Sequence, residues 1–417
     1  MGGTWRTDDH PRWAGSAHAL ASCSRTAPPT ARQLITRAGG GKGKRKKEKR
    51  KKSRKKEEDS GTLCWRGHLE RLISPTVDQK SRPREPTSSL FLSPLAMLEG
   101  WGFPQPRQLT ATVAYRLPDE FRRPGGQSEH SRNQKRGRPV DSFLEGPVYV
   151  RETGTLYVTD IPYGRVFAVD LATGAWRLVV EYEGGEPNGM AWHPAERRLY
   201  VADFCRGILR LDPATGRVET LLDRWNGEHL RGPNDLVLGG DGSVFFTDQG
   251  MTGLQDPTGR VFRLHPPTGR VDLLLRNCPS PNGLVLDAAE TTLFVAQTRD
   301  NAVWCAPLYP DGSVQRTGRF ASYGGVGGPD GLALDVEGNL FVAHSTLGCV
   351  FVHRPNGLPL ARIQSPAGHG TTNLTWGGPD LKTLYIVESQ SGSILTVPWH
   401  CPGVLGKLYA GWMEHDH

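Results

Sequence analysis

Six residues with a side-chain oxygen recur in register along this 417-residue chain: Glu145, Asn188, Asn234, Asn282, Asp330 and Asn373. Each lies 10 or 11 positions ahead of an aliphatic-aromatic stretch of the Leu-Tyr-Val type, beginning at Leu156, Leu199, Val244, Leu293, Leu340 and Leu384. Their surroundings form a series of their own: EGP, PNGM, PNDL, PNGL, PDGL, TNLT. Taken singly, a Pro-Asn-Gly reads as a turn whose asparagine bonds nearby backbone. Six in phase, with an acid substituted at two of them, point to one shared centre. Two carboxylates and four amides, with no His or Cys, make a hard-oxygen set. Such a set suits Ca²⁺ or another hard divalent ion and disfavours Zn²⁺ or copper. A divalent ion takes about six or more oxygens, so a protein that supplies only some leaves positions for water and substrate.

A second series stands four residues after each aromatic-strand start: Asp160, Asp203, Asp248, Gln297, His344 and Glu388. An acid at a strand end that bonds a turn N–H is common, and that structural reading carries more weight here. His344 is the exception to watch, because a neutral imidazole near a site moves protons at physiological pH. Arg231, three before Asn234, is a candidate for steering an anionic substrate, with a solvated rim arginine as the equal alternative.

The element that must position these residues is a short strand repeated six times. The aromatic-strand starts are separated by 43, 45, 49, 47 and 44 residues. Periods near 45 made of short strands and Gly/Pro/Asp turns predict an all-β, six-bladed β-propeller with about four strands per blade. In the fourth unit, strands are expected at 282–287, 292–297, 302–308 and 314–320. A Thr-Gly turn recurs at one phase in Asp170-Leu-Ala-Thr-Gly174, Asp212-Pro-Ala-Thr-Gly216 and His265-Pro-Pro-Thr-Gly269. In a propeller the first strand of each blade lines the axis, so the six polar residues converge on one mouth of the channel. Ring closure is expected from Gln108–Arg116 as an edge strand, with Ser393–Val397 and Val404–Tyr409 as its partners. The propeller is therefore expected over 105–417. The polar stretch 122–138 leads directly into Glu145 and emerges on the same face, as a partial lid or as a disordered segment, with disorder the favoured reading.

Residues 1–104 belong to another regime, rich in Ser, Thr, Pro, Lys and Arg with no strand pattern, and read as a disordered, basic, low-complexity extension. From Lys42 to Lys56 there are 12 Lys/Arg and one Glu, a net of +11 against +8 for the whole chain. The basic balance thus belongs to the tail, and the propeller is not expected to bind nucleic acid. The run is either a nuclear-localisation or polyanion-binding segment or, as the weightier reading, without function. Met97 offers an alternative start. No stretch reads as a signal peptide or a membrane span. The seven cysteines are scattered and free of CxxC spacing, which favours a reducing compartment and gives no zinc site. A cytoplasmic protein is expected, or a nuclear one if the basic run is functional.

The chain resembles the senescence marker protein (regucalcin)/gluconolactonase/luciferin-regenerating-enzyme family of six-bladed propellers over about 140–400. The resemblance rests on Leu144-Glu-Gly-Pro147, Tyr157-Val-Thr-Asp-Ile-Pro162 with Gly164-Arg-Val166, and Gly232-Pro-Asn-Asp-Leu236. It continues in Pro281-Asn-Gly-Leu284, Gly328-Pro-Asp-Gly-Leu332 and Thr372-Asn373 followed by Trp376-Gly-Gly-Pro-Asp380. It implies one axial divalent cation on Glu145, Asn234, Asn282 and Asp330, with Ca²⁺ first and Mg²⁺, Mn²⁺ or Zn²⁺ as alternatives. It further implies hydrolysis of a sugar or other small lactone or ester, and in one branch of phosphotriesters. Asp330 would be the catalytic group, as general base or as nucleophile. Asn188, Arg231, His344 and Asn373 are candidate substrate contacts or rim residues. Two positions depart from the pattern. Thr375 stands where the phosphotriesterase-like branch carries a histidine. Phe246-Thr-Asp-Gln-Gly-Met251 stands where many gluconolactonases read Phe-Thr-Asp-Pro-Pro-Tyr-Gly. The competing readings are a non-catalytic calcium-binding, regulatory or protein-binding propeller, and a propeller enzyme of the strictosidine-synthase type.

Overall fold

The computed structural model describes residues 105–404 and 406–409. The basic extension and Met97 lie outside the described residues. Six antiparallel sheets run outward from one axis, each taken in sequence order. The innermost strands of blades I to VI are Leu144–Val150, Pro187–His193, Pro233–Leu238, Pro281–Leu286, Gly328–Leu334 and Thr371–Gly377. Each touches the innermost strands on either side, and the contacts close from blade VI back to blade I. The second strands are Thr155–Asp160, Arg198–Asp203, Val244–Asp248, Thr292–Gln297, Leu340–Ser345 and Thr383–Glu388. The expected strands of blade IV match except the last. Gly318–Ser322 forms the outer edge, while Val314 makes only a single bridge to Leu308.

Ring closure corrects one expectation. Gln108–Arg116 is not a single strand: the chain breaks at Ala111 and changes blade. Arg107–Thr110 lies parallel to Pro359–Gln364 as a fifth strand of blade V. Thr112–Arg116 is the outermost strand of blade VI, antiparallel to Ser393–Pro398. Ala111, whose N–H donates to Gln364 O at 2.9 Å, is buried in the core between these two blades. Among the described residues of 404–409 there is no strand. Val404 N donates to Leu334 O, and the segment covers the far end of the axis.

The six strand-start residues Leu156, Leu199, Val244, Leu293, Leu340 and Leu384 are all fully buried between blades. Leu293→Ala should lower unfolding stability by about 2–5 kcal/mol, measured by denaturant titration, because the rigid sheets cannot collapse onto the cavity. The recurring Thr-Gly turn has a backbone cause. Gly174, Gly216 and Gly269 sit at φ +74°, +74° and +68°, and a residue with a Cβ is strained there. Among the described residues no helix is long and apolar enough to cross a membrane.

The stretch leading to Glu145 is ordered, against the favoured expectation. A six-residue helix, α1 (Glu129–Gln134), is started by a capping box between Ser128 and Ser131. Arg122 ties the segment down, donating to Asp141 Oδ2 at 2.9 Å and to Ser391 O at 2.6 Å. Tyr163 Oη donates to Val140 O at 2.5 Å. A polar composition concealed these anchors, because most of their partners belong to blades I and VI.

Candidate metal centre

All six register residues are buried, from 4% exposure at Glu145 to 9% at Asn188. Each innermost strand carries a bulge beside its polar residue, as between Glu145 and Val148, Pro233 and Leu236, or Pro281 and Leu284. A bulge frees one residue from the ladder and re-aims its side chain. Repeated in every blade, it turns six oxygens inward. Glu145, Asn188, Asn234, Asn282 and Asp330 line one chamber of about 650 Å³ at the mouth of the axis. Asn373 belongs to the ring but faces the other side, in a smaller cavity of about 240 Å³ toward the far end. There its Nδ2 donates to Asp235 Oδ2 at 3.4 Å.

Asp235 is the residue that the pattern did not single out. It directly follows Asn234, at a position where four other blades carry Gly146, Gly189, Gly283 and Gly331. An acid standing where its counterparts are glycines was the available signal. The glycines are needed because the ring is tight. A Cβ on Gly189 would stand 1.9 Å from Asp235 Oδ1, and one on Gly331 2.1 Å from Asn373 Oδ1. Asp235 and Asn373 therefore fill the axis that their glycine neighbours leave open.

The ring concentrates negative charge. Burial raises the Glu145 carboxyl above the usual range, although Gly146 N donates to its Oε2 at 2.8 Å. Burial, then the nearby Glu145, pushes Asp235 up to about 8. Asp330 is raised well above the usual range by burial and next by Glu145. Lys135 of the lid and Arg299 line the same chamber; burial brings Lys135 down to about 8, while Asp330 and Glu145 hold its proton on.

Other details fit an oxygen-liganded ion. Asn188 Oδ1 is buried without a hydrogen-bond partner. Asn234 Nδ2 donates to Gln249 Oε1 at 3.0 Å, and Gln249 Nε2 donates to Ser280 Oγ at 3.0 Å. That chain spends the amide N–H of Asn234 on the wall and leaves its carbonyl oxygen for the chamber. Gln249 is part of the departure Phe246–Met251, so the altered wall segment also orients a ring residue.

Besides Asn373, two candidates fall outside the chamber lining. His344 is fully buried in blade V, within hydrogen-bond distance of Ser345 O at 3.0 Å and Asn301 Oδ1 at 3.3 Å, edge-on to Tyr323 and Phe351. Its strand end faces the right mouth, but its ring packs between strands. Arg231 is an exposed rim residue whose guanidinium is held by Thr258 O. Its backbone N–H and that of Gly232 donate to Asp248 Oδ1 at 2.7 and 2.9 Å. Asp248 shares this structural work with the other acids of the second series, Asp203 among them, which accepts from Cys205 N at 2.9 Å. Asp160 pairs with Arg165 and accepts from Phe143 N at 2.7 Å, while Glu388 accepts from Gly370 N at 2.9 Å. These acids hold the loops that shape the chamber.

Comparison with known proteins agrees with the geometry. A family model described as the SMP-30/Gluconolactonase/LRE-like region matches residues 143–390, which contain the whole ring. A gluconolactonase of Zymomonas mobilis is 31% identical over 279 residues, 60% of this chain and 77% of that protein. The lactonase Drp35 of Staphylococcus haemolyticus is 28% identical over 231 residues, 54% of this chain and 70% of its own. A calcium-binding protein, regucalcin, from Agrobacterium tumefaciens shares the fold, with a TM-score of 0.59 and 20% identity over 73% of this chain and 99% of its own.

Proposed function

The chain belongs to the SMP-30/gluconolactonase/LRE-like family, and from that premise we propose that it hydrolyses a lactone in the chamber above the ring. The observation that carries this reading is the buried acid gathered at the ring, Glu145, Asp235 and Asp330, below a chamber that Lys135 and Arg299 also line. Glu145, Asn234, Asn282 and Asp330 would hold one divalent cation, Ca²⁺ before Mg²⁺, Mn²⁺ or Zn²⁺ because every donor is a hard oxygen. Such a cation, when bound, supplies Lewis-acid polarisation of a carbonyl oxygen. Asp330 acts on the water side of the reaction, taking the proton of the attacking water or attacking the carbonyl itself. Asn282 donates a hydrogen bond to Asp330 and keeps its carboxylate aimed. Asn188 offers a free oxygen to a substrate hydroxyl or to the ion.

The mouth bears on the substrate. Met251, Leu254 and Val326 line the chamber yet are 62%, 68% and 91% exposed. Exposed apolar side chains gathered at one opening favour a ligand that covers them. A lactone with an apolar substituent fits this rim better than a polyhydroxylated sugar lactone. Kinetics on a lactone panel test both points. We expect kcat/KM for alkyl- or aryl-substituted lactones to exceed that for gluconolactone by about 10-fold, the worth of one or two buried methylenes. Chelation should bring turnover to background, and Ca²⁺ should restore it. If no lactone, ester or phosphotriester turns over with any added metal, the chain is a binding propeller instead.

A further inference from the structure

We propose that Lys135, delivered by the lid, is a catalytic residue: its ammonium donates to the lactone oxygen that gains negative charge during hydrolysis. This assignment rests on the lactone-hydrolysis reading above, and Lys135 lies ahead of the family-matched residues 143–390.

Several observations locate the group. Lys135 lines the chamber at the C-cap of α1, where its N–H donates to Ser131 O at 3.2 Å. The ammonium nitrogen is 3.6 Å from the centroid of the Phe143 ring, which holds the side chain by its stem and charge. Charged groups on three blades act on it: Asp330 of blade V, Glu145 of blade I and Arg299 of blade IV. Lys135, Glu145, Asp330 and Arg299 all line the same chamber, so the ammonium shares it with the acids of the ring. Among the described residues it has no hydrogen-bond acceptor and no ion pair. One further group lining the chamber is also unmatched, Asn188 Oδ1, whereas His130, on the same helix and 2% exposed, has its Nδ1 3.5 Å from Glu186 Oε2. Buried polar groups left without partners in a cavity are matched when a polar ligand enters.

The chemistry gives such an ammonium a task. Water adds its oxygen to the lactone carbonyl carbon, and the carbonyl oxygen takes the electron pair. When the tetrahedral species collapses, the ring C–O bond breaks and its oxygen leaves as an alkoxide. The proton that water gives up balances the proton that the alkoxide takes, so Lys135 keeps its own and acts through charge and hydrogen bonding. A fixed donor aimed at developing charge in a partly buried chamber acts mainly on the transition state.

Lys135→Met keeps the stem on Phe143 and removes the charge. We expect kcat to fall about 10²-fold with KM nearly unchanged, the loss typical of one oxyanion donor. Lys135→Arg should recover part of it. Divalent-ion affinity, measured by calorimetry, should stay equal to or above that of the unaltered chain, because a competing positive charge is gone. A Lys135→Met chain with unchanged kcat and tighter ion binding would make Lys135 a counter-ion only and overturn the proposal. A fall in kcat that tracks weaker ion binding, or a lower melting temperature, would make its role structural. An unaltered chain that turns over no lactone sinks the hydrolase reading and this assignment together. Turnover retained by the Met variant sinks the assignment alone.

Discussion

Replacing Asp330 by Asn is expected to abolish turnover, by about 10³-fold or more in kcat/KM, while making the metal-free protein more stable. The two effects have one cause. Asp330 is buried beside Glu145 and Asp235, and both raise its carboxyl further after burial has done so. A neutral amide of the same shape removes that repulsion and still accepts the hydrogen bond that Asn282 donates. We expect a gain on the order of 1–2 kcal/mol without metal near neutral pH, the size of an ordinary single-residue change. Added Ca²⁺ should then shift the melting temperature of the variant far less than that of the unaltered chain. Calorimetric unfolding with and without chelator measures the stability side, and initial rates measure the other. An Asp330→Asn chain that retains turnover removes Asp330 from the mechanism. One that is inactive and also destabilised without metal assigns it a structural role.

Metal removal should matter more as pH rises. The Asp235 carboxyl titrates near 4 in an unfolded chain and at about 8 in the fold. Between those values the folded protein holds a proton that the unfolded chain has lost. The contribution of Asp235 to stability is therefore fully present below about pH 4 and is lost as pH rises toward 8. Glu145 and Asp330 are shifted in the same direction. Lys135, brought down to about 8, contributes in the opposite sense only above that pH. The metal-free protein should thus melt at a lower temperature at pH 8 than at pH 5. A cation at the ring must displace those protons, so its affinity should rise over the same window, with proton release on binding. At 100 times its dissociation constant the ion would add about 2.7 kcal/mol, or about 4 °C for a fold of this size. Melting curves at pH 5 and pH 8, each with chelator and with Ca²⁺, test the claim. If the metal-free curve is independent of pH and Ca²⁺ moves neither curve, the ring does not bind the ion.

The ring was legible in the sequence because a propeller repeats one environment six times. Each copy must bury Leu293 or its counterpart between blades, turn at a positive-φ glycine, and begin its first strand with a bulged polar residue. Periodicity therefore reveals whatever is built once per blade: blade number, strand order, the six oxygens and the acids that brace the loops. Strand ends also place a residue at one end of its blade, without saying which way its side chain turns. His344 shows the limit, since its ring packs against Tyr323 and Phe351 although its strand ends at the chamber mouth.

What occurs once has no such signal. The blade change at Ala111, the lid that carries His130 and Lys135, and the Gln249 support of Asn234 each depend on contacts between distant parts of the chain. Composition made the lid look unstructured because its order comes from Asp141, Ser391 and Tyr163 rather than from its own apolar residues. Asp235 lies between these cases: the break in the glycine series was visible, but its meaning was not. By itself the sequence determined the architecture and a ring of hard oxygens, since these follow from local pattern repeated in phase. The tertiary structure alone decided the charge balance at the centre, because burial and the approach of Glu145, Asp235, Asp330 and Lys135 set their proton affinities, and those distances exist only once the ring has closed.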